Sequence, residues 1–148
     1  MPSTHTSLHY HIVFSTKDRE PRISRNWEST LHKYLGGIIR NIGGKPISIG
    51  GIEDHVHLLI GLKPNQCISE VVRDIKSNSS SWVHDEGYSR SFAWQEGYGA
   101  FTVSPQMLDQ VTQYIRNQRE HHRVKTFQEE YVEFLEKSSI EFRPEYLW

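Results

Sequence analysis

Residues 51–62 read GIEDHVHLLIGL, and the alternation inside this stretch decides the fold. Val56, Leu58 and Ile60 fall on one face of a strand, and His55 and His57 share the other. A second strand, Pro46 to Glu53, precedes it and is joined tightly near Asp54. Upstream, Leu8, Tyr10, Ile12 and Phe14 alternate with His9, His11, Val13 and Ser15, which predicts a strand over 8–15. Thr16 to Arg25 is charged and carries Pro21, so it reads as a loop. From about Asn26 the spacing Trp27, Leu31, Leu35, Ile38, Ile39, Ile42 is that of an amphipathic helix, ended by Gly43-Gly44.

After Pro64-Asn65, the residues Ile68, Val71, Val72, Ile75, Trp82 and Val83 mark a second helix, weaker across Ser79–Ser81. Phe92 to Val103 is aromatic and β-prone; Gly97 and Gly99 there suggest a bulge or a close backbone approach. Ser104-Pro105 forms a helix start, with an N-cap serine and proline at the first helical position. That helix is expected through Leu108, Val111 and Ile115 to about His122, over 105–122. A last helix, Phe127 to Lys137, leads into an extended tail, the two covering 127–148. The order βαββαβ plus two helices predicts an α+β fold: a ferredoxin-like split-βαβ antiparallel sheet with helices on one side and C-terminal helices added. The 148 residues are one domain's worth, 1–148.

Composition excludes more than it selects. No stretch approaches a membrane span, and no basic segment followed by an apolar run marks a secretory signal. Cys67 is the only cysteine, which excludes an internal disulfide and a multi-cysteine zinc site and fits a cytoplasmic location. Net charge is −1, without the bulk basicity common in nucleic-acid binders. Its distribution is uneven: residues 1–126 hold 15 Lys/Arg against 12 Asp/Glu, or +3, and 127–148 hold 2 against 6, or −4.

Two imidazoles at i and i+2 on a strand can converge on one metal ion or one phosphate. His9 and His11 have the same spacing, and spacing alone does not choose between the pairs. Because the first and third strands of a ferredoxin-like sheet are neighbours, one pair can orient the other. In Gln113–His122, Tyr114, Gln118 and His121 lie beside the stripe formed by Leu108, Val111 and Ile115, where a side chain is held by packing and still reaches a site.

Four segments together resemble a known family: His9–Lys17 (HYHIVFSTK), Gly51–Leu59 (GIEDHVHLL), Trp94–Phe101 (WQEGYGAF) and Tyr114–His122 (YIRNQREHH). They are similar to the single-tyrosine HUH transposases of insertion sequences, the IS200-like and REP-associated tyrosine transposases. The resemblance covers almost the whole chain and selects His55 and His57 over His9 and His11. It implies that His55, His57 and Gln118 hold a divalent metal, Mg2+ or Mn2+, and that Tyr114 attacks a DNA phosphodiester to form a 5′-phosphotyrosine. It further implies single-stranded DNA hairpins as partners, and a homodimer whose tyrosine helix can complete the other subunit's site.

His11 and His121 are then expected beside the ligands, and His121 is one option for a general base. Arg73, Lys76, Arg116, Arg119 and Arg123 are expected to meet phosphates, and Tyr98 to stack on a base. Two other readings stand beside this one. A small metal hydrolase on the same pair lacks the later acidic and histidine ligands of an all-β site. A domesticated relative would bind hairpin DNA without cleaving it.

Overall fold

The computed structural model describes residues 2–122 and 125–147. Its elements are β1 (His9–Ser15), α1 (Arg25–Asn41), β2 (Lys45–Ile52), β3 (His55–Gly61), α2 (Ile68–Asp85), β4 (Gly99–Thr102), α3 (Leu108–Arg116), α4 (Gln118–His121) and α5 (Phe127–Lys137). The strands form one antiparallel sheet in the order β2-β3-β1-β4, the expected split-βαβ arrangement. β1 and β3 are central, and His57 lies opposite Val13 across their ladder.

Strand alternation sorts the sheet into two unlike faces. Ile12, Phe14, Val56, Leu58 and Ile60 pack under α1 and α2 in the main core. Ser24 caps α1, its hydroxyl accepting from the Asn26 amide. The opposite face presents His11, Val13, Ser15, His55 and His57, and the C-terminal helices cover it. Its apolar cluster is small: Val13, Phe127, Tyr131 and Leu135. The sheet is therefore helix-covered on both faces, the second by the C-terminal segment.

One glycine lets that segment come close, and its neighbour fits the turn into β3. Gly50 pairs with His57, and a Cβ on Gly50 would stand 2.5 Å from the carbonyl oxygen of Ile115. Gly51 has φ +146°, and a Cβ there would stand 2.2 Å from the carbonyl oxygen of His55. The absent side chain at Gly50 lets α3 lie against β2 beside His57. Gly50→Ala is expected to lower stability by about 1–3 kcal/mol, as overpacking against fixed backbone does. A denaturant midpoint equal to that of the wild type would remove Gly50 from this role.

Two sequence expectations are corrected. The strand expected over 92–103 is confined to Gly99–Thr102, with one isolated bridge between Thr16 and Trp94. Lys76 explains the loss: its ammonium donates to the carbonyls of Gln95, Glu96 and Gly97 at 2.8, 3.2 and 2.6 Å, removing them from any ladder. The close approach expected at the glycines is found at Gly99, where a Cβ would meet the Tyr131 hydroxyl at 2.9 Å.

The helix expected over 105–122 is not continuous. It opens with a 3-10 turn, Pro105–Met107, and Ser104 makes no side-chain cap. It breaks at Asn117, whose φ −96° and ψ 23° leave the helical region. Of the expected stripe only Ile115 is buried. α5, by contrast, has the expected bounds, and the Thr126 hydroxyl accepts from the Glu129 amide at its start. Arg123 and Trp148 lie outside the described residues.

Candidate active site

The histidines on the polar face are aimed by what holds their outer nitrogens. His55 Nδ1 lies 2.7 Å from Asp54 Oδ1, a contact that fixes Nδ1 as the donor and turns Nε2 inward. His57 Nδ1 lies 2.8 Å from His11 Nε2, the two rings stacked at 5.0 Å. Burial, then the neighbouring His57, holds the His11 imidazole well below its usual range, so the two rings share this hydrogen bond with His11 neutral. His11 thus orients His57. His9, opposite Gly61 on the same strand, makes no such contact with the pair.

His55 and His57 are both fully buried. Their Nε2 atoms meet the C-terminal segment. Gln118 Oε1 lies 3.2 Å from His55 Nε2, and the Gln118 amide donates to the carbonyl of Tyr114. The Tyr114 ring stands edge-on to His57, with centroids 5.6 Å apart, and 5.0 Å from the His121 ring. A cavity of about 420 Å³ opens beside Tyr114, bordered also by His11, His121, Glu130 and Phe134.

Two residues not singled out from the sequence as site residues complete the cluster. Glu130, on the first turn of α5, is 2% exposed. Its Oε1 lies 2.9 Å from His57 Nε2, and its Oε2 lies 3.0 Å from His121 Nε2 and 3.1 Å from His122 Nε2. His122 also places Nε2 2.9 Å from Gln118 Oε1, while its Nδ1 donates to the Lys125 carbonyl at 2.8 Å. A signal for Glu130 existed: it falls within the Phe127, Tyr131, Leu135 stripe, a carboxylate on the apolar side of an amphipathic helix. The break at Asn117 has its consequence here, because both successive histidines 121 and 122 come within reach of one carboxylate.

Electrostatics follow burial and these neighbours. Burial, partly opposed by Glu130, pushes the His57 imidazole down to about 4. Burial alone would raise the Glu130 carboxyl, but His122 and His57 carry it below the usual carboxylate range. Burial and then the Glu130 charge push the Tyr114 phenol up, which keeps it protonated at neutral pH.

These shifts predict how metal-free stability responds to pH. An unfolded chain protonates its histidines near 6.5, whereas folded His57 resists to about 4 and His11 likewise stays neutral. The unfolded state then binds more protons, so stability falls as pH drops from about 6.5 to about 4. His122, raised above its ordinary value, works in the opposite sense and loses its contribution as pH rises. Below about 4.5 the loss of Glu130's stabilisation adds to the fall. Thermal melts in a chelator across pH 4–7 check this; a melting temperature that rises on acidification would refute it.

The residues expected to meet DNA are distributed differently. Arg73 and Arg116 are exposed. Arg119 is engaged, donating to Glu53 at 2.8 Å and to Glu28 at 2.7 Å, and so ties α4 to the hairpin and to α1. Lys76 is engaged by its three carbonyls and lies over the Phe14 ring; burial lowers it to about 8. Tyr98 is half-buried against the main core.

Both imidazoles present an inward Nε2, and together with Gln118 Oε1 they make an open set of nitrogen and oxygen donors that fits a divalent cation. The antiparallel sheet carries this pair, and the tyrosine of α3 faces it. The family model described as "Transposase IS200 like" matches residues 4–118, and the chain belongs to that family of transposases.

The ISDra2 transposase TnpA of Deinococcus radiodurans is 27% identical over 119 residues, 76% of this chain and 85% of the relative. A solved Deinococcus radiodurans R1 chain, described as a candidate transposase, superposes with a TM-score of 0.64 at 26% identity, covering 80% of this chain and 95% of the other. A REP-associated tyrosine transposase bound to a REP hairpin shares the fold, with a TM-score of 0.57 at 14% identity over 79% of this chain and 72% of that one. No helix among the described residues is long and apolar enough to cross a membrane.

Proposed function

We propose that this transposase nicks and rejoins single-stranded DNA beside hairpins through a 5′-phosphotyrosine on Tyr114, with a divalent metal, Mg2+ or Mn2+, at His55, His57 and Gln118. The observation that carries the reading is the placement of the Tyr114 ring 5.6 Å from His57 of the same chain. When bound, the cation neutralises charge on the scissile phosphate. Beside it, burial and then the Glu130 charge hold the phenol protonated, and a cation there would offset the second of these.

Tyr114 Oη then forms the bond to phosphorus as the bond to the 3′ oxygen breaks. His121, the imidazole next to the phenol, takes the phenolic proton and returns it to the departing 3′ oxygen. The phosphotyrosine conserves the energy of the broken bond, so a second 3′-hydroxyl reverses the step without ATP. Gln118 spans the two halves, its Oε1 toward His55 and its amide on the Tyr114 carbonyl. Arg73 and Arg116, exposed and outside the buried cluster, are the phosphate contacts this reading retains.

We read residues 1–148 as a single catalytic domain acting on DNA in the cytoplasm. A homodimer is a partner of this reading, but Tyr114 already faces its own histidines, which favours a site completed within one chain. The test incubates the chain with labelled single-stranded hairpin DNA from its gene's flanks, with and without Mn2+. A metal-dependent covalent band on a denaturing gel, its modified peptide containing Tyr114, is expected. A native gel shift on the same hairpin without any covalent band would establish instead a relative that binds and does not cut.

A further inference from the structure

Glu130 and His122 are not among the ligands assigned so far, yet their geometry calls for a cation. His55 and His122 spend their Nδ1 protons outward, on Asp54 and on the Lys125 carbonyl, and His57 turns its Nδ1 toward His11 Nε2. All three therefore turn Nε2 inward, and an Nε2 that carries no proton presents a lone pair there. What those lone pairs meet are acceptors. His57 Nε2 faces Glu130 Oε1 at 2.9 Å, and His122 Nε2 faces Glu130 Oε2 at 3.1 Å and Gln118 Oε1 at 2.9 Å.

An imidazole nitrogen held this close to a buried carboxylate oxygen needs positive charge between the two, either a proton or a cation. His57 Nε2 and both Glu130 oxygens are indeed buried without a well-directed hydrogen bond. Protons on the imidazoles are one source of that charge, and a single cation shared by their inward nitrogens is the other. One donor atom from each of His55, His57, His122 and Glu130 lies within 4.8 Å of the others. Donors around one ion at about 2.1 Å stand up to roughly 4.2 Å apart, so a small contraction suffices.

We propose that Glu130, carried by α5, and His122, at the end of α4, join His55 and His57 as ligands of the divalent ion. The C-terminal helix thereby contributes a charge to the metal centre rather than only a lid over the sheet. The inference rests on the metal reading given above, and its test separates the two.

Mn2+ affinity is measured by calorimetry on the full chain, and the visible absorption of bound Co2+ reports the donor set. Glu130→Gln keeps shape and volume and removes the charged ligand. It is expected to weaken Mn2+ binding at least about 10-fold and to change the Co2+ bands; His57→Ala is expected to abolish both. Should His57→Ala bind Mn2+ as the wild type does, the metal reading itself fails. If His57→Ala loses the ion while Glu130→Gln binds within about twofold and keeps the Co2+ spectrum, only the role of Glu130 fails. Chelator-treated melts establish that each variant folds. Where Glu130→Gln does not, the Co2+ spectrum of Glu130→Asp decides: altered bands support the assignment and unchanged bands overturn it.

Discussion

Tyr114→Phe is expected to form no covalent DNA adduct at any concentration of Mn2+ or Mg2+, while melting like the wild type. Chemistry and stability separate at this residue because the phenol oxygen is buried without a well-directed hydrogen bond. Removing a poorly satisfied buried hydroxyl costs a fold little and can stabilise it, so a change within about 1 kcal/mol is expected. The ring contacts with His11, His57, His121 and Phe134 persist in phenylalanine. Hairpin affinity should also persist, since the attacking oxygen contributes to the transition state and not to docking. Denaturing gels read the adduct and native gels the binding. A Phe variant that still forms wild-type levels of adduct would move the nucleophile to another side chain.

His57→Ala carries the second large effect. Cleavage should fall by at least about 100-fold, the scale on which electrostatic stabilisation of developing charge is lost. Binding of the hairpin should be nearly unchanged in a native gel. The imidazole is fully buried at the centre of the sheet, so its loss also leaves a cavity; His57→Gln, which fills more of that space, is therefore compared in parallel. Both variants should lose metal-dependent cleavage alike. If binding falls in step with cleavage in both, the histidine holds the fold together and the assignment of its role to chemistry is wrong.

Strand alternation made the sheet legible. The same period that buries Ile12, Phe14, Val56, Leu58 and Ile60 turns His11, His55 and His57 to the other face, and the neighbouring of β1 and β3 brings His11 onto His57. Aromatic composition favours a longer fourth strand than the protein forms, and Lys76, from another element, holds the 95–97 carbonyls instead. The tyrosine helix was read as continuous because residue spacing carries no sign of the turn at Asn117.

Glu130 stood in an acidic run with Glu129, Glu133 and Glu136, and net charge could not say which of them turns inward. The apolar stripe of α5 could have. Gly50 was silent for a different reason: its function is the room it leaves for a helix more than sixty positions later. Lys76 and Arg119 illustrate the same limit, since a basic residue in a sequence shows its charge and not the carbonyls or carboxylates already holding it.

The unequal division of apolar side chains between the two faces has an evolutionary consequence. Among the described residues, 18 buried hydrophobics form the core under α1 and α2, all of them before residue 95, against four in the cluster that α5 joins on the other face. Selection for folding therefore weighs most on the first two thirds of the chain, which also carry His11, His55 and His57, whereas the last third, with Tyr114 and Gln118, bears few core side chains. Substitutions along α4 and α5 can retune or silence the enzyme while the protein remains folded and abundant. A lineage in which strand transfer became harmful would have a short route to inactivity there, and, the sheet being intact, a short route back.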